Sequence, residues 1–145
     1  MENKMILLVE DNADEELFVL RALKKNGITN RVSVVRDGEE ALDFLFCANA
    51  HAERDPNDMP QLVLLDIKLP KIDGLEVLRR IRAEKRTSLV PVVMLTSSKE
   101  PEDRVKAYQA GANSYIRKPI DFSEFIESVG LLGMYWLMLN IGPMN

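Results

Sequence analysis

The chain is poor in the residues that mark several function classes. It holds one cysteine, one histidine and one tryptophan in 145 residues. A single cysteine, Cys47, cannot close an internal disulfide, and a lone thiol suits a reducing compartment such as the cytoplasm. We read Cys47 as a small packing residue, because unpaired cysteine is among the most buried side chains. The one histidine, His51, has no second histidine or cysteine to complete a zinc motif and reads as a surface bystander. No apolar run approaches the roughly 20 residues of a membrane span, and the first residues show no signal-peptide pattern. Basic blocks are missing too: 19 Lys and Arg against 23 Asp and Glu give a net charge of -4, which disfavours direct nucleic-acid binding. What is present suffices for one core, since 46% of residues are hydrophobic and 29% charged. The expectation is a cytoplasmic protein of one domain, with no membrane contact.

Apolar runs alternate with segments of helical periodicity along nearly the whole length. The runs are Met5–Val9, Val32–Val35, Leu62–Leu65, Val90–Leu95 and the weaker Ser114–Ile116. Unbroken runs rich in Val, Ile and Leu are expected of strands covered on both faces of a parallel sheet. Between them, Ala13, Leu17 and Leu20 recur at helical spacing, with Gly27 as a stop. Asp37 opens a second helix, and Leu75, Leu78 and Ile81 mark a third. Pro101, Glu102 and Asp103 open a fourth that Gly111 closes, and Asp121 or Ser123 caps a fifth. Five βα units in order predict an α/β fold, a five-stranded parallel sheet doubly wound by helices. The segment from Cys47 to Pro60 is too long for an ordinary connection and reads as a surface insertion.

In such sheets ligands bind beyond the carboxyl ends of the strands. The first run ends in Glu10 and Asp11, and the third ends in Asp66. Three carboxylates brought together repel one another unless a cation offsets them. With oxygen donors only, Mg²⁺ is the natural ion. The alternative is helix capping by Asp11 or Asn12 with no metal. The fourth run ends in Thr96, followed by Ser97 and Ser98, and the fifth leads to Lys118. Metal, ammonium and hydroxyl together form a recurring arrangement for holding a phosphoryl group, with Asp66 as its nucleophile.

These stretches resemble a known family. Leu7-Leu8-Val9-Glu10-Asp11-Asn12, Leu64 through Gly74, Met94-Leu95-Thr96-Ser97-Ser98 and Gly111 through Pro119 look like the motifs of the receiver domain of two-component response regulators. The resemblance covers about residues 4 to 128 and implies a flavodoxin-like (βα)5 receiver fold. It implies that Asp66 accepts a phosphoryl group from a histidine kinase, with Mg²⁺ held by Glu10, Asp11, Asp66 and the backbone carbonyl of Lys68. Thr96 and Lys118 would contact the phosphoryl oxygens, and Tyr115 would change rotamer when Thr96 moves. Lys118-Pro119 would be a cis peptide. Glu10 stands where many members have a second Asp, and Lys68 and Ser98 flank the site. Such a protein is a phosphoacceptor, not an enzyme acting on outside substrates.

A receiver domain over residues 1–128 leaves 129–145 as an extension of the last helix, with no output domain. Phe122, Phe125, Ile126, Val129, Leu132 and Trp136 would face the sheet, and Leu131, Met134, Tyr135 and Met138 another side. Gly130 and Gly133 cost about 1 kcal/mol each inside a helix, and a break there is the alternative to a continuous extension. Apolar residues on two sides imply a homodimer through the last helix and tail, or a downstream protein partner, and the alternative is a tail folded back on its own domain. The tail and the 47–60 loop are similar to small single-domain regulators that work with phytochrome-type kinases. Two other readings stand beside this one. One is a binding module on the same fold that needs no phosphorylation. The other is a haloacid-dehalogenase-like phosphatase, which wants an acid where Lys68 stands.

Overall fold

The computed structural model describes residues 5–118 and 121–143. Five strands, β1 (Ile6–Val9), β2 (Val32–Val35), β3 (Leu62–Leu65), β4 (Val92–Thr96) and β5 (Ser114–Arg117), form one parallel sheet in the order β2-β1-β3-β4-β5. The expected fold class is the observed one. β4 starts later than its apolar run: Pro91 has no N–H for the ladder, and the Val90 amide turns back to the Thr87 carbonyl.

The period of two along the strands sorts the core into two layers. Leu7, Val9, Val63, Leu65 and Met94 pack beneath α2 (Gly38–Phe46), α3 (Gly74–Ala83) and α4 (Pro101–Ala110). Ile6, Leu8, Leu62, Leu64 and Val93 pack beneath α1 (Ala13–Lys25) and α5 (Phe122–Met134). Leu75, Leu78 and Ile81 of α3 are buried as expected. On α1 the expected face is wrong. Its buried residues are Val19, Ala22 and Leu23, while Ala13 and Leu17 are exposed. Two apolar stripes compete on this helix, and α5 covers the second.

That α1–α5 contact also explains why the last helix continues past the two glycines. α5 runs through both glycines. A Cβ at Gly130 would lie 2.2 Å from Asn26 Oδ1, and one at Gly133 would lie 2.2 Å from Ile28 Cδ1. The missing side chains let the helices approach. Asn26 then donates from Nδ2 to the carbonyls of Ala22 and Ile126, which locks the end of α1 to α5. Phe125, Val129 and Leu132 face the core, and Asp121 caps the helix. Past Met134 the chain continues as a π-helical turn, Tyr135–Leu139, that buries Leu137 and half-buries Trp136. The Lys118-Pro119 peptide and the Phe122 side chain lie outside the described residues.

The long connection before β3 is folded against α2. It contains a short 3-10 turn, Asn49–His51. Arg54 lies 3.7 Å over the Phe44 ring and donates to the carbonyls of Phe44 and Asp58. His51 packs edge-on to Phe44 and meets Glu40 at 3.2 Å. Cys47 is half-buried, with Arg54 Nη1 3.6 Å from its Sγ. It ends α2 in a left-handed conformation, φ 55°, which places it at the surface of that helix end.

Candidate functional site

Register builds the site. Val9 pairs with Leu65 across β1 and β3, so the residues that follow, Glu10 and Asp66, emerge side by side at the carboxyl edge. Thr96 pairs with Arg117, so Lys118 leaves β5 at the level of Thr96, and its amide donates to the Thr96 carbonyl at 2.7 Å. Glu10 and Asp66 are buried, 2% and 7% exposed, and Thr96 is 1% exposed.

Lys118 joins the acids. Its Nζ donates to Glu10 Oε1 at 2.7 Å, Glu15 Oε1 at 2.5 Å and Asp66 Oδ2 at 3.2 Å. Burial works against the Lys118 charge, but Asp66, Glu10 and Glu15 outweigh it, and the net effect holds its pKa above the ordinary value. Burial pushes the Glu10 carboxyl up, and the Lys118 hydrogen bond only partly offsets that. Asp66 Oδ1 has the looser partner, the Lys68 amide at 3.4 Å. Gly74 lets α3 start against this turn: a Cβ there would lie 1.9 Å from the Asp66 carbonyl oxygen.

Of the residues expected from the sequence, Glu10, Asp66 and Lys118 come together, with Thr96 on the adjoining strand. Asp11 is exposed and is not in the carboxylate group. Asn12, the other capping candidate, caps α1 by accepting from the amides of Asp14 and Glu15. Among the described residues, the carboxylates that approach within 4.8 Å of one another are Glu10, Glu15 and Asp66. Sequence reasoning missed Glu15. Its signal was Asn12-x-x-Glu15, the spacing of a reciprocal helix cap, although the Glu15 side chain turns to Lys118 instead. Three carboxylates and one ammonium leave two negative charges on all-oxygen donors, which fits a hard divalent cation. Tyr115 is half-buried, its hydroxyl has no regular hydrogen-bond partner, and burial pushes its phenol up. An open cleft of about 440 Å³ between α3 and α4, lined by Arg79, Arg82, Lys106 and Gln109, lies apart from this group.

The family described as response regulator receiver domain matches residues 6–130. The probable methanogenesis regulatory protein FilR2 of Methanothrix harundinacea is 41% identical over 139 residues, 96% of this chain and 87% of that one. The response regulator Rcp1 of Synechocystis is 34% identical, covering 92% of this chain and 89% of the relative. The Mn²⁺-bound crystal structure of response regulator Rcp1 superposes with a TM-score of 0.88 over 97% of this chain and 99% of that one, at 33% identity. The phosphorylated cyanobacterial phytochrome response regulator RcpA superposes with a TM-score of 0.90 at 34% identity, over 98% and 99% of the two chains. Among the described residues no helix is long and apolar enough to cross a membrane.

Proposed function

Since the chain belongs to the response regulator receiver domain family, we propose that it is a phosphoryl switch whose acceptor is Asp66. The observation that carries this reading is the pairing of buried Asp66 with buried Glu10 under one lysine, at the edge where Thr96 also ends its strand. A carboxylate oxygen of Asp66 attacks the phosphorus of a histidine kinase's phosphohistidine. The P–O bond forms as the P–N bond breaks, and the imidazole nitrogen keeps the electron pair.

Mg²⁺ would be held by Glu10, Asp66 and the Lys68 carbonyl, with Asp11 or Glu15 completing the set, and would offset charge on the transferring group. Lys118 is already poised on Asp66 Oδ2 and can follow the new phosphoryl oxygens. Thr96 supplies a hydroxyl to them, and Tyr115 responds to its movement. Two hydrogen bonds to a charged group contribute about 1.5–3 kcal/mol each. That is much of the roughly 5.5 kcal/mol that carries an equilibrium from 1:99 to 99:1.

Likeness to RcpA and Rcp1 extends through the tail, which supports a phytochrome-type kinase as donor. Output runs through protein association in the cytoplasm, by a homodimer or a downstream protein on the exposed side of the last helix, where Leu131, Met134 and Met138 lie in solvent. The protein turns over no outside phosphate ester, because Lys68 stands where a phosphatase of the haloacid-dehalogenase type has its general acid. Acetyl phosphate with Mg²⁺ tests the reading: wild type takes up label and Asp66→Asn takes up none. Undiminished labelling of that variant would return Asp66 to a structural role and favour the phosphorylation-independent module.

A further inference from the structure

The cleft between α3 and α4 has the opposite charge to the carboxyl edge of the sheet. Arg79, Arg82 and Ala83 of α3 line it with Lys106, Gln109 and Ala110 of α4, and the two short alanines leave space among the longer side chains. Half of these residues are cationic and none is acidic.

The chain offsets little of this charge. The half-buried Arg82 donates from Nε to the Gly111 carbonyl at 2.9 Å and from Nη1 to the Ser88 and Val90 carbonyls at 3.0 and 2.7 Å. Its Nη2 donates to Asn113 Oδ1 at 2.8 Å. All of these acceptors are neutral. A guanidinium carries five N–H groups, so one on Nη2 is left over. Burial with no carboxylate beside it pushes the Arg82 pKa down. Arg79 shares the Glu76 carboxylate with Arg80, one anion for two cations. Lys106 has no ion-pair partner among the described residues, and Asp103, one helical turn before it, accepts from the Ser98 hydroxyl at 2.6 Å. A charge taken partly out of water is stabilised by an anion.

We propose that the α3–α4 cleft binds a small molecule carrying a diphosphate, whose oxygens meet Arg79, Arg82 and Lys106, at a place separate from Asp66. Guanidinium forks meet phosphate oxygens in pairs. A phosphate monoester carries at most about two negative charges, so three cations match a diphosphate better. Arg79 and Arg82 stand one turn apart on α3, which suits a compact anion rather than an extended acidic segment. The cleft is larger than a diphosphate alone needs and leaves room for the group that bears it.

Calorimetric titration of the full chain with inorganic pyrophosphate tests this, in EDTA so that no metal draws anions to Asp66. Wild type binds one pyrophosphate, more weakly as salt rises. Arg79→Gln and Lys106→Gln, both at exposed positions, each weaken binding about three- to tenfold, the scale of one partly exposed charge contact. Ala83→Glu places a carboxylate in the cleft and abolishes binding, while urea denaturation shows the variant folded. Replacing Arg82 would strip its internal hydrogen bonds, so its part is read in wild type, where the Arg82 Nε–H resonance shifts as pyrophosphate saturates. Absence of saturable binding by wild type, or equal affinity in all three variants, overturns the proposal. Equal affinity for sulfate reduces the site to a non-selective anion patch and overturns it too. A poly-glutamate peptide that binds where pyrophosphate does not would assign the cleft to an acidic protein instead. None of these outcomes bears on labelling of Asp66.

Discussion

The carboxyl edge of the sheet and the far side of the last helix are built on opposite terms. At the edge, a nearly buried ammonium is shared by three carboxylates within hydrogen-bond distance. Along the last helix, its π-helical turn and the residues just past it, Leu131, Met134, Tyr135, Met138 and Ile141 stand in solvent, with Met138 77% and Ile141 94% exposed. In one region charged groups are buried against one another, and in the other large apolar side chains stand in solvent. The contrast separates what holds this domain together from what it offers to another molecule. A change at the edge must disturb folding and chemistry together, whereas a change on the outer helix face should leave both alone and alter association.

The strongest way to break that contrast is to remove the shared cation. Lys118→Met leaves Glu10 and Asp66 buried without it, and stripping one partner from a buried ion pair costs about 3–5 kcal/mol. The pH dependence has a definite sign. Glu10 has a pKa raised above the ordinary 4.5, so its unfavourable contribution grows as pH rises through and above that value. The raised pKa of Lys118 contributes stability that is complete below the ordinary 10.5 and lost as pH climbs past it. Urea denaturation should therefore show the variant's deficit larger in mild alkali than in mild acid, since burial makes Glu10 take up a proton more readily than an ordinary carboxyl. Equal deficits at both would mean that the carboxylates are not coupled to Lys118.

Within α5, Leu132→Ala empties a buried position and should lower stability by about 2–5 kcal/mol in the same measurement. Gly130→Ala sharpens the comparison at closer range. Helix propensity alone predicts a gain of about 1 kcal/mol. The Cβ must displace the Asn26 side chain and its bonds to the Ala22 and Ile126 carbonyls, so a net loss of about 1 kcal/mol is expected. A gain in melting temperature would show that α1 and α5 are not locked there. Leu131→Ser should change stability by under about 0.5 kcal/mol. Light scattering should nevertheless show weaker self-association, and an unchanged dimer fraction, or a monomer throughout, would remove this face from the interface.

Much of the fold could be read along the chain because strand ends and helix starts are local signals. Asp37, Pro101, Gly111 and Asp121 stand where the helices begin and end, and Asp66 follows its strand at once. The face of α1 could not be read this way, because Leu17 and Val19 belong to competing stripes and only the partner helix selects between them. Glu15 escaped for a similar reason: a first-turn acid looks like a cap until its distance to Lys118 is known. Asp11 stands exposed beside the buried Glu10, because adjacency in sequence does not fix direction in space and consecutive side chains at a strand end diverge.

The sequence by itself determined the order of strands and helices, the placing of Glu10, Asp66, Thr96 and Lys118 at one edge, and the family, since each follows from short-range pattern and strand-end position. Only the tertiary structure decided which carboxylates share the lysine, how two glycines let α1 and α5 meet, and that Asp103 holds Ser98. The lysine's and the glycines' contacts depend on distances between residues far apart in the chain, which the register of the sheet and the packing of helices set.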